Sequence, residues 1–225
     1  MGFKERVDVG TDVTCWNERK KHDDDHVEKD GLFDWIDMHA DVFAESEVTW
    51  MKLGELDLQL AGKMRGYGKD AISRCERRGG SIDVEVEGRG RTEVVKVSKD
   101  DVIDAKLRRF YAMWCLRESY VKMTGEALLA PWLRDLEILD MQAPAAHPEA
   151  NESISLLQGE CLKSENINFK GRRVRDVYMD LSAIGQDYMI ARCVRFSERT
   201  ELANPQDTLS REWKELQLQD ILPLT

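Results

Sequence analysis

The stretch SIDVEVEGRGRTEVVKV, residues 81–97, decides how the rest of the chain is read. Ile82, Val84 and Val86 alternate with Asp83, Glu85 and Glu87, and apolar residues return at Val95 and Val97 after Gly88, Arg89 and Gly90. Period-two alternation on both sides of a glycine-containing turn predicts a β-hairpin with one wet face. Downstream, Ser98 and Asp101 resemble a capping box, opening a helix with Ile103, Leu107, Phe110 and Trp114 on one stripe. Thr124 and Gly125 supply its stop. A further helix is expected over 126–141, with Pro131 in its first turn or at a kink.

Residues 143–152, centred on an Ala/Pro/His-rich run, read as a linker, and beyond it the text turns to strands. The candidates are 154–162, 165–170, 173–182, 187–198 and 211–221, with Gly171 and Gly185 where turns are required. Upstream of the hairpin, Phe33, Ile36, Ala40 and Phe43 share one helical face, with Asp30 as the expected N-cap. That pattern continues through Trp50, Leu53, Leu56 and Leu60 until Gly62, Gly66 and Gly68 weaken it. A short helix is expected over 69–77. Residues 1–30 are polar and charge-dense, and read as an arm or extended segment with a short strand near Val7 and Val9.

Helices followed by an antiparallel meander, with one inserted hairpin, form an α+β layout. The expected organisation is an N-terminal arm (1–30) and a single α+β domain (31–225). Its helical half (31–142) packs on its β-rich half (153–225). This order of elements, with a closing strand that opens on Trp213, Lys214, Glu215 and Leu216, loosely resembles the cone-like folds of the nuclear transport factor 2 and Tim44 superfamily. The resemblance implies long helices over a curved sheet.

The 225 residues are 42% hydrophobic and 34% charged, which excludes end-to-end disorder. Lys plus Arg number 33 against 43 Asp plus Glu, for a net charge of −10. A field of that sign repels phosphate backbones and anionic headgroups. No run approaches the ~20 apolar residues of a membrane-spanning helix. The first residues carry charge where a signal peptide needs an apolar stretch, and Arg6 stands where myristoylation wants Ser or Thr. Five cysteines show no Cys-x-x-Cys spacing, so free thiols in a reducing compartment are expected. The implied setting is soluble and intracellular.

No catalytic motif is assembled in the text. His22 and His26 lie four apart around three aspartates and are weak metal-ligand candidates, because no third ligand is set by spacing and a solvated acidic arm is the favoured account of them. Gly66 to Lys69 lacks the spacing of a phosphate loop. His39, among apolar neighbours, reads as a satisfied, partly buried histidine. Trp35 and Trp50 suggest a partner surface, since Trp35 falls off the Phe33/Ile36/Phe43 stripe and tryptophan is enriched at interface hot spots. Arg89 and Arg91, projected by the hairpin, are candidates for an acidic partner or a phosphate. Tyr178, Asp180, Tyr188 and Arg192 are the polar groups a pocket against the meander would use.

The favoured reading is a non-catalytic structural or interaction subunit of a larger assembly, with a protein partner or a second copy of itself and no cofactor. The alternative is an enzyme or small-molecule binder with a pocket between helices and curved sheet. A nucleic-acid-associated protein using the arginine hairpin ranks third.

Overall fold

A computed structural model describes residues 7–58, 64–65, 71–88, 91–127, 130–147, 157–164, 166–196 and 213. Its axis is α4 (Lys99–Thr124), a 26-residue helix. The Ser98 hydroxyl accepts the Asp100 N–H at 3.2 Å at the N-terminus, and Gly125 closes the other end in the left-handed region at φ +75°. The helix is apolar on more than one side. Val102, Ile103, Leu107, Phe110, Met113, Leu116 and Tyr120 are all buried.

A four-stranded antiparallel sheet covers one side of α4. Its strand order is β1 (Val7–Cys15), β11 (Tyr188–Phe196), β10 (Val177–Ile184) and β7 (Gln158–Ser164). Three shorter helices lie N-terminal to α4 in the chain: α1 (Lys20–Lys29), α2 (Leu32–Asp37) and α3 (Glu45–Leu53). A small sheet of β6 (Leu136–Ile138), β8 (Ile167–Phe169) and β9 (Arg172–Arg173) touches α3 through β6, and a separate two-residue pair joins β2 (Asp57–Leu58) to β3 (Met64–Arg65). The hairpin is present as β4 (Ser81–Gly88) and β5 (Arg91–Ser98), paired from Ser81↔Ser98 to Gly88↔Arg91. The fold is thus an α+β mixture, and one apolar cluster joins Trp35, Phe43 and Phe110 from the helical side to Met179, Leu181 and Met189 of the sheet.

Several boundaries differ from expectation, each for a local reason. Residues 7–29, read as an arm, hold a strand of the main sheet and a helix. In β1 the valines point outward, Val9 and Val13 more than half exposed, while Gly10, Asp12 and Thr14 alternate toward α4. The helix expected from Leu32 to Phe43 breaks after Asp37 into a single 3-10 turn at Ala40–Val42, and Gly31 at φ +99° takes the N-cap place expected of Asp30. α3 stops at Gly54, so Leu56 enters the core from beyond the helix. In place of a helix over 126–141, a 3-10 turn at Leu133–Asp135 follows Pro131, and Leu136 and Ile138 alternate inward as a strand bonded to β8. Residues 71–78 hold turns and bends where a helix was expected. Leu60, the Gly66–Lys69 run, Arg89 and most of the 211–221 strand lie outside the described residues. Trp213 is described, its ring under the Arg192 guanidinium at 5.2 Å. Among the described residues no helix is long and apolar enough to cross a membrane.

Candidate active site between β1 and α4

Gly10 sets the geometry. A β-carbon there would lie 2.1 Å from the Ser119 carbonyl oxygen and 2.3 Å from the Met123 nitrogen, both backbone atoms of α4. Only glycine lets strand and helix approach this closely. Two residues on, Asp12 points to the same face and meets the same turn of α4. Its Oδ1 accepts the Lys122 ammonium at 2.6 Å, and its Oδ2 accepts the Thr14 hydroxyl at 3.0 Å. Glu118, one helical turn before Lys122, completes the group. Burial and the adjacent Asp12 carboxylate raise the proton affinity of Glu118, while Lys122 opposes the shift. The hydrogen bond to Asp12 in turn raises Lys122. Two carboxylates and one ammonium therefore share a half-buried patch.

The patch forms one wall of a cavity of about 590 Å³. From α4 come Tyr111, Trp114, Glu118 and Lys122, at spacings of three, four and four residues that place them on one helix face. β1 adds Asp12, Thr14 and Cys15; α1 and the residue before it add Arg19, His22 and Asp23; α2 and its following turn add Trp35, Met38 and His39. Asp23 is buried and accepts the Tyr111 hydroxyl at 2.6 Å, which together with burial raises the phenol. The far wall is aromatic. Trp35 meets Phe110 edge-on at 4.5 Å, and the His39 ring lies 4.8 Å from Trp35 and 5.0 Å from Phe110. His39 Nδ1 donates to the Trp35 carbonyl oxygen at 2.9 Å.

Behind the site, α4 is anchored by buried cations. Arg117, beside Glu118 in sequence, pairs with the buried carboxylate of Glu47 and donates to the Leu133 and Leu136 carbonyls at 2.8 and 3.0 Å. Glu47 also accepts the Ala44 and Ile138 N–H groups, each at 2.9 Å. Burial pushes Glu47 up and Arg117 down, each opposed by the other's charge. Arg109 donates to the carbonyls of Trp50 and Gly54 at 3.0 Å, to that of Glu55, and to Gln142 Oε1; burial lowers its pKa to about 10.

The residues singled out from sequence are mostly elsewhere. Trp35, expected at a partner surface, is only 2% exposed and packs on Phe110, because α4 covers the second stripe of α2. Trp50 is half-buried and donates its indole N–H to the Met141 carbonyl at 2.8 Å. Arg91 opens β5. Tyr178, Asp180, Tyr188 and Arg192 share the face of the main sheet turned away from α4, since Cys193, next to Arg192, meets Met123 of that helix. Asp180 and Arg192 form an ion pair at 2.5 Å there, Tyr178 packs on Phe196, and none of the four lines the cavity. His22 does line it, near Asp23, whereas His26 faces Asp30 and Asp34. Asp12, Glu118 and Lys122 were not singled out. The available signal was a Gly-x-Asp in a strand and a Glu and Lys four apart on a long helix, which stands out little among 43 acidic residues.

No protein-family model matches the chain. Curated relatives do. The chain is 37% identical over 191 residues to a 4'-phosphopantetheinyl transferase of Aureobasidium melanogenum, covering 83% of this chain and 54% of that protein. It is 31% identical over 217 residues to 4'-phosphopantetheinyl transferase 1 of Fusarium mangiferae (95% and 53%), and 30% identical over 192 residues to the transferase NpgA of Emericella nidulans (85% and 45%). The chain thus spans about half the length of the curated relatives it matches. These likenesses overturn the reading as a non-catalytic structural subunit, and favour the alternative of an enzyme with a pocket: over most of its length the chain is similar to proteins named as 4'-phosphopantetheinyl transferases.

Proposed function

We propose that the chain carries the chemistry of 4'-phosphopantetheinyl transfer, with the cavity between β1 and α4 as the reaction site and a carrier protein as acceptor. One observation carries this reading: in a chain similar over most of its length to enzymes of that name, Asp12, Glu118 and Lys122 converge on one wall of the cavity.

Moving a phosphopantetheinyl group forms a bond from an acceptor oxygen to phosphorus and breaks the bond to the leaving phosphate, so negative charge must be held and a proton removed. Asp12 and Glu118 are hard oxygen donors of the kind that hold Mg²⁺ together with substrate phosphates, and a divalent ion would offset both the burial and the Asp12 repulsion that raise Glu118. The ion would supply charge neutralisation at the phosphoryl oxygens. Lys122 adds a second cation at the same place, and Thr14 fixes the rotamer of Asp12. The aromatic wall of Trp35, Phe110 and Trp114 suits the less polar arm of the transferred group.

The test uses the purified chain, Mg²⁺, an apo carrier protein, and coenzyme A, which carries the 4'-phosphopantetheinyl group on a nucleotide. Intact-mass spectrometry of the carrier should show the gain of one phosphopantetheinyl group, absent with Asp12→Asn or Glu118→Gln. A folded chain that leaves the carrier unmodified across Mg²⁺ and donor concentrations overturns the reading.

A further inference from the structure

We propose that His26, Asp30 and Asp34 form a binding site for a divalent first-row metal ion, separate from the carboxylates of the cavity. His26 stands in the last turn of α1, Asp30 just after it, and Asp34 in the first turn of α2. His26 Nε2 lies 3.2 Å from Asp34 Oδ2 and 3.8 Å from Asp30 Oδ2, and the three ligand atoms all lie within 4.8 Å of one another. Ligands at metal distances of ~2.1 Å in a tetrahedral site stand about 3.4 Å apart, so His26 already stands within tenths of an ångström of that spacing from each aspartate, and the two carboxylates, no more than 4.8 Å apart, close the trio by rotating their side chains.

The turn between the two helices is fixed independently. Gly31 takes φ +99°, and the Arg77 guanidinium donates to the carbonyls of Glu28, Lys29 and Asp30 at 3.2, 3.3 and 3.5 Å. The side chains of His26 and Asp34 are 21% and 60% exposed, so an ion can reach them. Lys29 Nζ, 3.0 Å from Asp30 Oδ2, is the competitor that an ion must displace.

One imidazole nitrogen and two carboxylate oxygens favour Zn²⁺, Co²⁺ or Mn²⁺ over Ca²⁺ and Mg²⁺, which prefer oxygen alone. The site bridges the two helices that supply His22, Asp23 and Trp35 to the cavity. A bound ion would stiffen that wall.

The probes are ZnCl₂ and CoCl₂ added to the whole chain. Zn²⁺ well above its Kd should raise Tm by roughly 5 °C or more, and Co²⁺ should give the visible absorption of a low-coordinate site. His26→Asn and Asp34→Asn, the first at a partly buried and the second at an exposed position, should each remove most of both signals. Asp12→Asn combined with Glu118→Gln should leave them in place. The proposal fails if the wild-type chain shows neither signal, if the signals survive His26→Asn and Asp34→Asn, or if they vanish with the cavity carboxylates instead.

Discussion

Replacing Gly10 with alanine tests the central contact of the fold. The added methyl carbon would sit 2.1 Å from the Ser119 oxygen, 2.3 Å from the Met123 nitrogen and 2.9 Å from the Met123 α-carbon. Ordinary contact begins near 3.4 Å, so β1 and α4 must part by about 3.4 − 2.1 = 1.3 Å at this point. All three atoms belong to helix backbone, so no side chain can swing aside. Overpacking of this kind costs ~1–3 kcal/mol, and with a rigid neighbour the upper end applies. At roughly 2–4 °C per kcal/mol for a chain of this size, Tm falls by roughly 6–12 °C. The same displacement carries Asp12 away from Lys122 and Glu118, so transfer to a carrier protein should fall further than the melt alone explains. The assay is a thermal melt beside mass-detected transfer below both melting temperatures. Val9→Ala, one residue away and more than half exposed, is the control and should change stability by no more than about 0.5 kcal/mol. If Gly10→Ala melts within a degree of the parent chain, the close approach of β1 to α4 is wrong.

Three further predictions concern the charges around α4. Arg117→Met leaves the Glu47 carboxylate buried with only backbone donors and should cost ~3–5 kcal/mol by urea unfolding; the double variant Glu47→Leu/Arg117→Met should recover much of that loss. Tyr111 is held protonated by burial and by Asp23 above its ordinary value of 10.0, so the folded state keeps this proton longer than the unfolded chain. Its contribution is complete below about pH 10 and is lost as pH rises beyond it. Tyr111→Phe should therefore lower stability near neutrality yet flatten its decline at alkaline pH, read from denaturant midpoints. Lys122→Met removes a half-exposed ion pair and should shift stability by no more than about 1 kcal/mol, while transfer drops, most at low Mg²⁺.

How much of this was legible in sequence depended on which way the apolar residues faced. The 81–98 hairpin and α4 follow ordinary patterning, and the helix begins at Ser98 and ends at Gly125 as the text suggests. β1 inverts the rule: its valines face solvent while a glycine, an aspartate and a threonine face the helix. A period-two pattern was present in it, but with no means of knowing that its polar side pointed inward. α1 was hidden for a related reason, since only Asp23 and Val27 of its ten residues are buried. The cavity acids were lost in a strongly acidic composition and join only through contacts of long sequence separation, such as Asp12 with Lys122. Trp35 looked surplus because nothing in the local stripe shows that α4, some 70 residues later, covers it.

The inward cations of α4 have one more consequence. Lys106 donates to the carbonyls of Ser73 and Cys75 at 2.7 and 2.8 Å, Arg109 to those of Trp50, Gly54 and Glu55, and Arg117 to those of Leu133 and Leu136. Every residue type offers the same main-chain oxygen. Segments tethered in this way, mostly loops and the ends of short elements, can therefore change their amino acids freely and keep their positions, provided the three long basic side chains and the path of the backbone stay the same. Divergence among proteins built on this plan should accordingly gather in those connecting segments and spare the helix that grips them.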